Sequence, residues 1–477
     1  MSFAKRFGIV AAMEELQEQE AAAGAAAPEA TGDDTPSEEV DIPVAEDTVE
    51  TAAAEVDMAE SDVDAADEVI ADAESDLSTL DGIADKLEAT EENGGIDAGS
   101  AAIVEVAVEH LYQKLGVTRA KAMPALESFG ADSSRLKATR IAVEDIRENA
   151  KKIWDAILRM VEKAKEFITK FFKAIFTATG RIKERALKLK EAASKIQGEA
   201  SSQTIENAGF APALAVGSSV DYSKVNAFFS HGGFYKAELD KYADLVNNTE
   251  KLGKVADDFK NAVDYSFDPA LITSIGFKPS TEFGEAAEGF TYYSLSDLPA
   301  VGGKTIAAYA VSKAVSGQEA LKAVSQFKVE VKEVADTSEV NSAPTLKISE
   351  AQALLDYIIK ICDTTAELND VVKQIDSTSD LIIRSVKSAR NKDMIETLKA
   401  ADRDGAKSAS EDVVTKYDVA KDLIKALRAQ NAFMTKLISA PVRLNFSAAR
   451  AATEYVGQSL KLYGAQAEEK APEAAAA

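Results

Sequence analysis

One cysteine, Cys362, occurs among 477 residues, so no internal disulfide braces this chain. A lone thiol suits a reducing compartment. Histidine is almost as scarce. His110 and His231 are the only two, and one Cys with two distant His residues does not make a zinc site. Triad chemistry meets the same shortage, since no nucleophile elbow surrounds any serine that His231 would serve. No apolar run approaches the ~18 residues of a membrane span. Lys5-Arg6 and the apolar Phe7–Met13 resemble a signal peptide. The stretch meets Glu14-Glu15 at once, however, and no secretion signal is read from it. Val301-Gly302-Gly303-Lys304-Thr305 lacks the earlier glycine of a phosphate loop, because Leu298 stands there; it reads as a hairpin turn.

Basic residues are missing from the first quarter. Residues 1–127 hold 32 Asp and Glu against 6 Lys and Arg, and residues 128–477 hold 48 of each sign. The net charge of −26 therefore belongs wholly to the leader. Such a split reads as an interaction or targeting tail. Over residues 20–100 the only base is Lys86, and the composition is Ala, Glu, Asp, Pro and Ser. Low hydrophobicity with high charge does not offset the entropy of ordering a chain, so disorder with transient helix is expected, broken at Asn93-Gly94-Gly95. Ahead of it, Phe3, Phe7, Val10 and Met13 space a short docking helix over 2–19. Behind it, Ile103, Val106, His110 and Leu111 are expected to share one apolar face over 101–116.

The strongest periodicity lies over 138–178. Ile146, Ala150, Ile153, Ile157, Val161, Ala164, Ile168, Phe171 and Ile175 step by three or four, with Lys and Arg on the other faces. Gly180 is the expected C-cap, with a second basic helix from Arg181 to Glu199. Residues 131–200 carry a net charge of about +7. Phe290–Tyr293 and Lys304–Ile306 flank Gly302-Gly303 as a hairpin, and Phe327–Lys332 alternates like a half-buried strand. Helix returns over 348–402, with Ser349 as N-cap and Cys362 in the core. It resumes over 410–464 with an interruption near Pro441, and a frayed tail follows from Ala465.

The expected fold is mainly α: long amphipathic helices with a small β insertion, preceded by a disordered acidic leader. Four segments are expected: leader 1–127, basic helical region 128–204, mixed α/β region 205–347 and helical region 348–477. The basic stretch 138–198 suits core packing, a membrane surface or non-specific contact with nucleic acid. The residues of such a face are Trp154, Phe167, Phe171, Phe172, Phe176, Lys163, Lys170 and Lys173.

Several segments together resemble the internal head proteins of large tailed bacteriophages. They are Ala125-Leu126-Glu127-Ser128-Phe129-Gly130, Ala142–Ile146, Ala150–Ile157, Phe171–Phe176 and Gly180-Arg181. The resemblance implies a structural protein, not an enzyme, with no cofactor and no small-molecule substrate. It implies an acidic propeptide that a prohead protease trims after Glu in a short motif. Its partners would be capsid or scaffold proteins and that protease; the basic stretch 138–198 would add non-specific contact with packaged DNA and a transient membrane contact. Its place would be the capsid interior, after the host cytoplasm during assembly. Ala-x-Glu recurs, for example at Ala53-Ala54-Glu55, Ala66-Asp67-Glu68, Ala89-Thr90-Glu91 and Ala142-Val143-Glu144. Ala125-Leu126-Glu127, with Ser128 beyond the cut, is the favoured copy, because it lies in an expected loop where the charge imbalance ends. The alternatives are a membrane-active ejection protein, or a cellular helical scaffold or adhesin unrelated to phage.

Overall fold

A computed structural model describes residues 46–115, 123–130, 132–234, 239–257, 265–295, 299–389 and 410–469. The expectations for a helix over 2–19, for disorder over 20–45 and for the end of the tail lie outside these residues. The described chain forms two compact units. One comprises residues 60–168, and the other joins 46–59 to 169–469.

Among the described residues, three α-helices build the first unit: α1 (Glu46–Ala89), α2 (Ala98–Lys114) and α3 (Asp132–Lys195), of which α1 and α3 also contribute to the second. The disorder expected over 46–100 is thus corrected to helix. The reason lies in a spacing that the acidic composition hides. Ile70, Ala73, Leu77, Leu80, Ala84 and Leu87 are buried and step alternately by three and four, as in a coiled-coil seam. Ile146, Ala150, Ile153, Ile157, Met160 and Ala164 repeat that rhythm on α3, and both rows belong to one apolar cluster. Each Ile or Leu buried there contributes about 1.5–3 kcal/mol, which offsets the ordering entropy that the expectation of disorder relied on. Residues of 70–115 and 138–164 thus share this core.

The junction between α1 and α2 breaks at Asn93-Gly94-Gly95, as expected. Gly95 adopts φ +86°, and a Cβ there would lie 2.5 Å from Thr139 Oγ1. The close approach lets Ile96 N–H donate to Thr139 Oγ1 at 3.2 Å. The Asp97 side chain then caps α2 by accepting from Ser100 N–H at 2.7 Å. The face expected on α2 is corrected. Ala101, Val108, Leu111 and Tyr112 point inward, while Ile103, Val106 and His110 are exposed. Tyr112 fixes this rotation, since its hydroxyl accepts from buried Asn149 of α3 at 3.2 Å. Burial also pushes the Tyr112 pKa up.

The expected stripe on α3 is present, but Gly180 does not end the helix. Ile182, Ala186 and Leu189 continue the buried row, and the helix runs to Lys195. In the second unit, a four-stranded antiparallel sheet has the order β1 (Lys278–Ser280), β2 (Phe290–Ser294), β3 (Lys304–Val311), β4 (Lys328–Glu333). The hairpin and the alternating strand of the sequence reading are β2–β3 and β4, with Tyr292 opposite Tyr309 and Ile306 opposite Val331. The final helix, Ser410–Glu469, continues through Pro441 without the expected interruption. Leu437, Ile438 and Val442 are buried on both sides of the proline and keep the helix packed there. Helix Ile348–Glu367 starts one residue before Ser349, and its cap is corrected: Glu350 Oε2 accepts from Lys347 N–H at 2.9 Å. Cys362 is buried as expected.

Replacing Gly95 with Ala places a methyl against Thr139 and strains a left-handed backbone. The urea midpoint should fall by the equivalent of about 1–3 kcal/mol, and an unchanged midpoint would show that the junction yields freely.

Candidate processing turn and basic face

The favoured cleavage motif falls in a single turn of 3-10 helix, Leu126–Phe129. Both ends of this segment are anchored. Met123 is buried before it and Phe129 is fully buried after it. Pro124 fixes the chain's entry, and Ala125, Leu126 and Glu127 stand exposed between the anchors. The turn is closed by Ser128 N–H donating to Ala125 O at 2.8 Å and Gly130 N–H donating to Glu127 O at 3.2 Å. Ser134, on the first turn of α3, donates from its hydroxyl to Ser128 O at 2.8 Å. The Glu127–Ser128 bond is therefore reachable from solvent but not extended. A protease that reads an extended strand must first open the turn.

Of the other copies, Ala286-Ala287-Glu288 also lies in a loop, with Ala287 and Glu288 exposed, and so shares the accessibility of the favoured one but not its place at the charge boundary. Ala53-Ala54-Glu55 and Ala66-Asp67-Glu68 lie inside α1, and Ala142-Val143-Glu144 lies inside α3. Ala89-Thr90-Glu91 lies where α1 gives way to a short 3-10 turn, with Glu91 held by Arg140.

The predicted basic face separates into two halves. Phe167, Phe171 and Phe172 are buried, and Phe176 is half-buried. Within the second unit Phe171 packs edge-on to Phe172 at 5.3 Å, and Phe172 stacks on Phe176 at 6.0 Å. These rings fill the protein's own interior instead of meeting solvent. Lys170 and Lys173 are exposed, and Lys163 is half-buried. Trp154 is part of α3, and its side chain lies outside the described residues. No described helix is long and apolar enough to cross a membrane.

Sequence reading missed the residues where acid meets base. In the first unit, Arg147 pairs with Glu88 and, at 3.5 Å, with Asp85. Arg140 Nε donates to Glu91 Oε2 at 2.8 Å. Lys114 on α2 reaches buried Asp76 on α1 at 2.7 Å. As residue numbers rise on α1 they fall on α3, so the two helices run antiparallel. In the second unit Lys183 donates to Asp363 at 2.5 Å, which holds the lysine pKa above its ordinary value, and Lys190 pairs with Asp356. Arg450 lies 3.9 Å from Glu50 of α1. The heptad spacing of Ile70 to Leu87 and the opposite net charges of 1–127 and 131–200 were the available signals.

A family model described as phiKZ-like phage internal head proteins matches residues 44–436. The chain belongs to that family. No curated protein and no solved structure matches it. The match takes in α1 and α2 as well as both β and α parts of the second unit, so the acidic helices are within the shared region of these internal head proteins. The family's role is structural and its place is the interior of the phage head.

Two outcomes check this geometry. Ser134→Ala removes one hydrogen bond from the turn, about 1 kcal/mol, and cleavage of the native chain at Glu127 by a Glu-specific endoprotease should speed up roughly fivefold. An unchanged rate would mean that Ser134 does not guard the bond. Cys362 is buried beside Asp363, and its thiol is pushed up to about 12. It should resist a maleimide at pH 8 in the folded chain and react fully in urea, as read by intact mass.

Proposed function

We propose that this internal head protein enters the capsid precursor with its acidic segment attached, and that a prohead protease severs it after Glu127. The observation that carries this reading is the coincidence of three features at one place. Charge balance begins at residue 128, the motif there is exposed, and its turn lies between helices instead of inside one. Before packaging, the acidic segment suits basic surfaces of scaffold or shell proteins. After packaging, a covalent polyanion would be repelled by dense DNA, whereas a balanced body would not.

Severing one bond does not by itself detach the acidic helices. The side chains of Ile70, Leu77, Leu80, Leu87, Val108 and Leu111 remain buried in the same core after a cut at 127. At about 1.5–3 kcal/mol each, they hold the piece until it is digested further or drawn off by a competitor. The nicked protein is therefore a two-chain complex in dilute buffer. The membrane-active reading is not taken further, since the phenylalanines it calls on are buried. Ejection with the DNA remains compatible with a balanced body.

N-terminal sequencing and intact-mass analysis of the protein from mature particles test the reading. The expected product starts at Ser128. Full-length chain at full stoichiometry in infectious particles would overturn it.

A further inference from the structure

We propose that the side of α3 bearing Arg140 and Arg147 is a binding site for the phosphate backbone of duplex DNA, occupied in the intact chain by its own carboxylates. The two arginines lie seven residues apart on one helix, ~10 Å along its axis. Asp85, Glu88 and Glu91 step by three along α1 and the turn after it, and present a line of negative charge to them. A guanidinium that binds a carboxylate also suits a phosphodiester, because both offer paired oxygens to its planar fork.

The ion pairs lie outside the apolar seam. Each pair has one well-exposed member: Arg140 is 60% exposed against 22% for Glu91, and Glu88 is 52% exposed against 23% for Arg147. Exposed pairs of this kind hold weakly and exchange readily. Phosphates can therefore replace the carboxylates without unpacking Leu80, Leu87 or Ile146. Exposed Lys137, one turn before Arg140, extends the row. Exposed Glu144 and Glu148 interrupt it, which confines the site to a few phosphates and excludes reading of base sequence.

The acidic segment then has a second role besides carrying charge. It keeps this part of α3 from DNA until the segment is lost or outcompeted. The inference relies on the internal-head reading only for the choice of DNA as the polyanion; it does not depend on a cut at Glu127. The two therefore fail separately: particles with an uncut chain leave this site standing, and a null result below leaves the cleavage reading standing.

The test uses the full chain and a mixed-sequence DNA duplex, with affinity measured across a salt series. Each phosphate contact adds about 0.9 to the slope of log affinity against log salt. Asp85→Asn/Glu88→Gln/Glu91→Gln should bind more tightly than the parent at low salt, with a slope steeper by about 1.8. Adding Arg140→Gln and Arg147→Gln to that variant should return the slope to the parent value. Glu91→Gln alone disturbs only the exposed Arg140 pair and should steepen the slope by about 0.9; it decides the matter if the triple variant loses helicity. Equal slopes in parent and variants would overturn the proposal. So would a gain that survives loss of both arginines, since it would then reflect overall charge and not this site.

Discussion

An antiparallel seam between an acidic and a basic helix orders the first unit of this protein. Ile70 to Leu87 on α1 and Ile146 to Ala164 on α3 supply the apolar part, and Arg140 and Arg147 compensate carboxylates along its edge. Neither partner is well suited to stand alone. An acidic helix repels itself at the i,i+4 spacing, and a basic one does the same. Side by side, each neutralises the other while their Leu and Ile rows leave water. Burial supplies most of the stability, because exposed ion pairs contribute little singly; the charges line the edge of the seam and match its antiparallel register.

That division of labour bears on what an internal head protein must do. On the proposed reading, its surroundings change from a protein-rich precursor to densely packed DNA. An apolar seam is indifferent to that change. Ion pairs at its rim are not, because a polyanion competes with carboxylates for arginine. On the proposed DNA-binding reading, the same helix keeps its packing while the partner of its charged side is exchanged. The turn proposed for processing, Leu126–Phe129, is built on a comparable compromise. Phe129 and Ser134 hold it closed, yet Ala125 to Glu127 face solvent, so its chemistry is governed by a small local opening and not by global unfolding.

The second unit meets a different constraint. Its last helix carries buried polar groups that need partners from distant segments. Asn445 accepts from Phe234 N–H at 2.8 Å, Ser459 accepts from Leu346 N–H at 3.2 Å, and the Tyr455 hydroxyl donates to Pro344 O at 2.5 Å. These bonds tie loops and short strands to one long helix. Gly233 is confined by this arrangement, since its φ is +64° and a Cβ would meet Asn445 at 2.1 Å.

By itself the sequence determined the helical class, the place of the β insertion, the amphipathic rhythm of α3, the break at Asn93-Gly94-Gly95 and the burial of Cys362. Each is a local pattern of period, turn chemistry or hydrophobicity. It also determined the charge boundary at residue 127, which is a matter of counting. Only the tertiary structure decided that 46–100 is folded. The heptad of Ile70 to Leu87 is written in Ala and Leu between acids, and its value as a seam depends on a matching row more than fifty residues away. The same holds for Ile103 and Val106, which share a face with Leu111 in the sequence but are turned outward because Tyr112 and Asn149 set the rotation of α2. Gly180 and Pro441 mark helix ends by local preference, and both were overruled where packing on either side continued. Propensity acts on a few neighbouring residues, whereas burial sums over a whole interface, and where the two disagreed the interface prevailed.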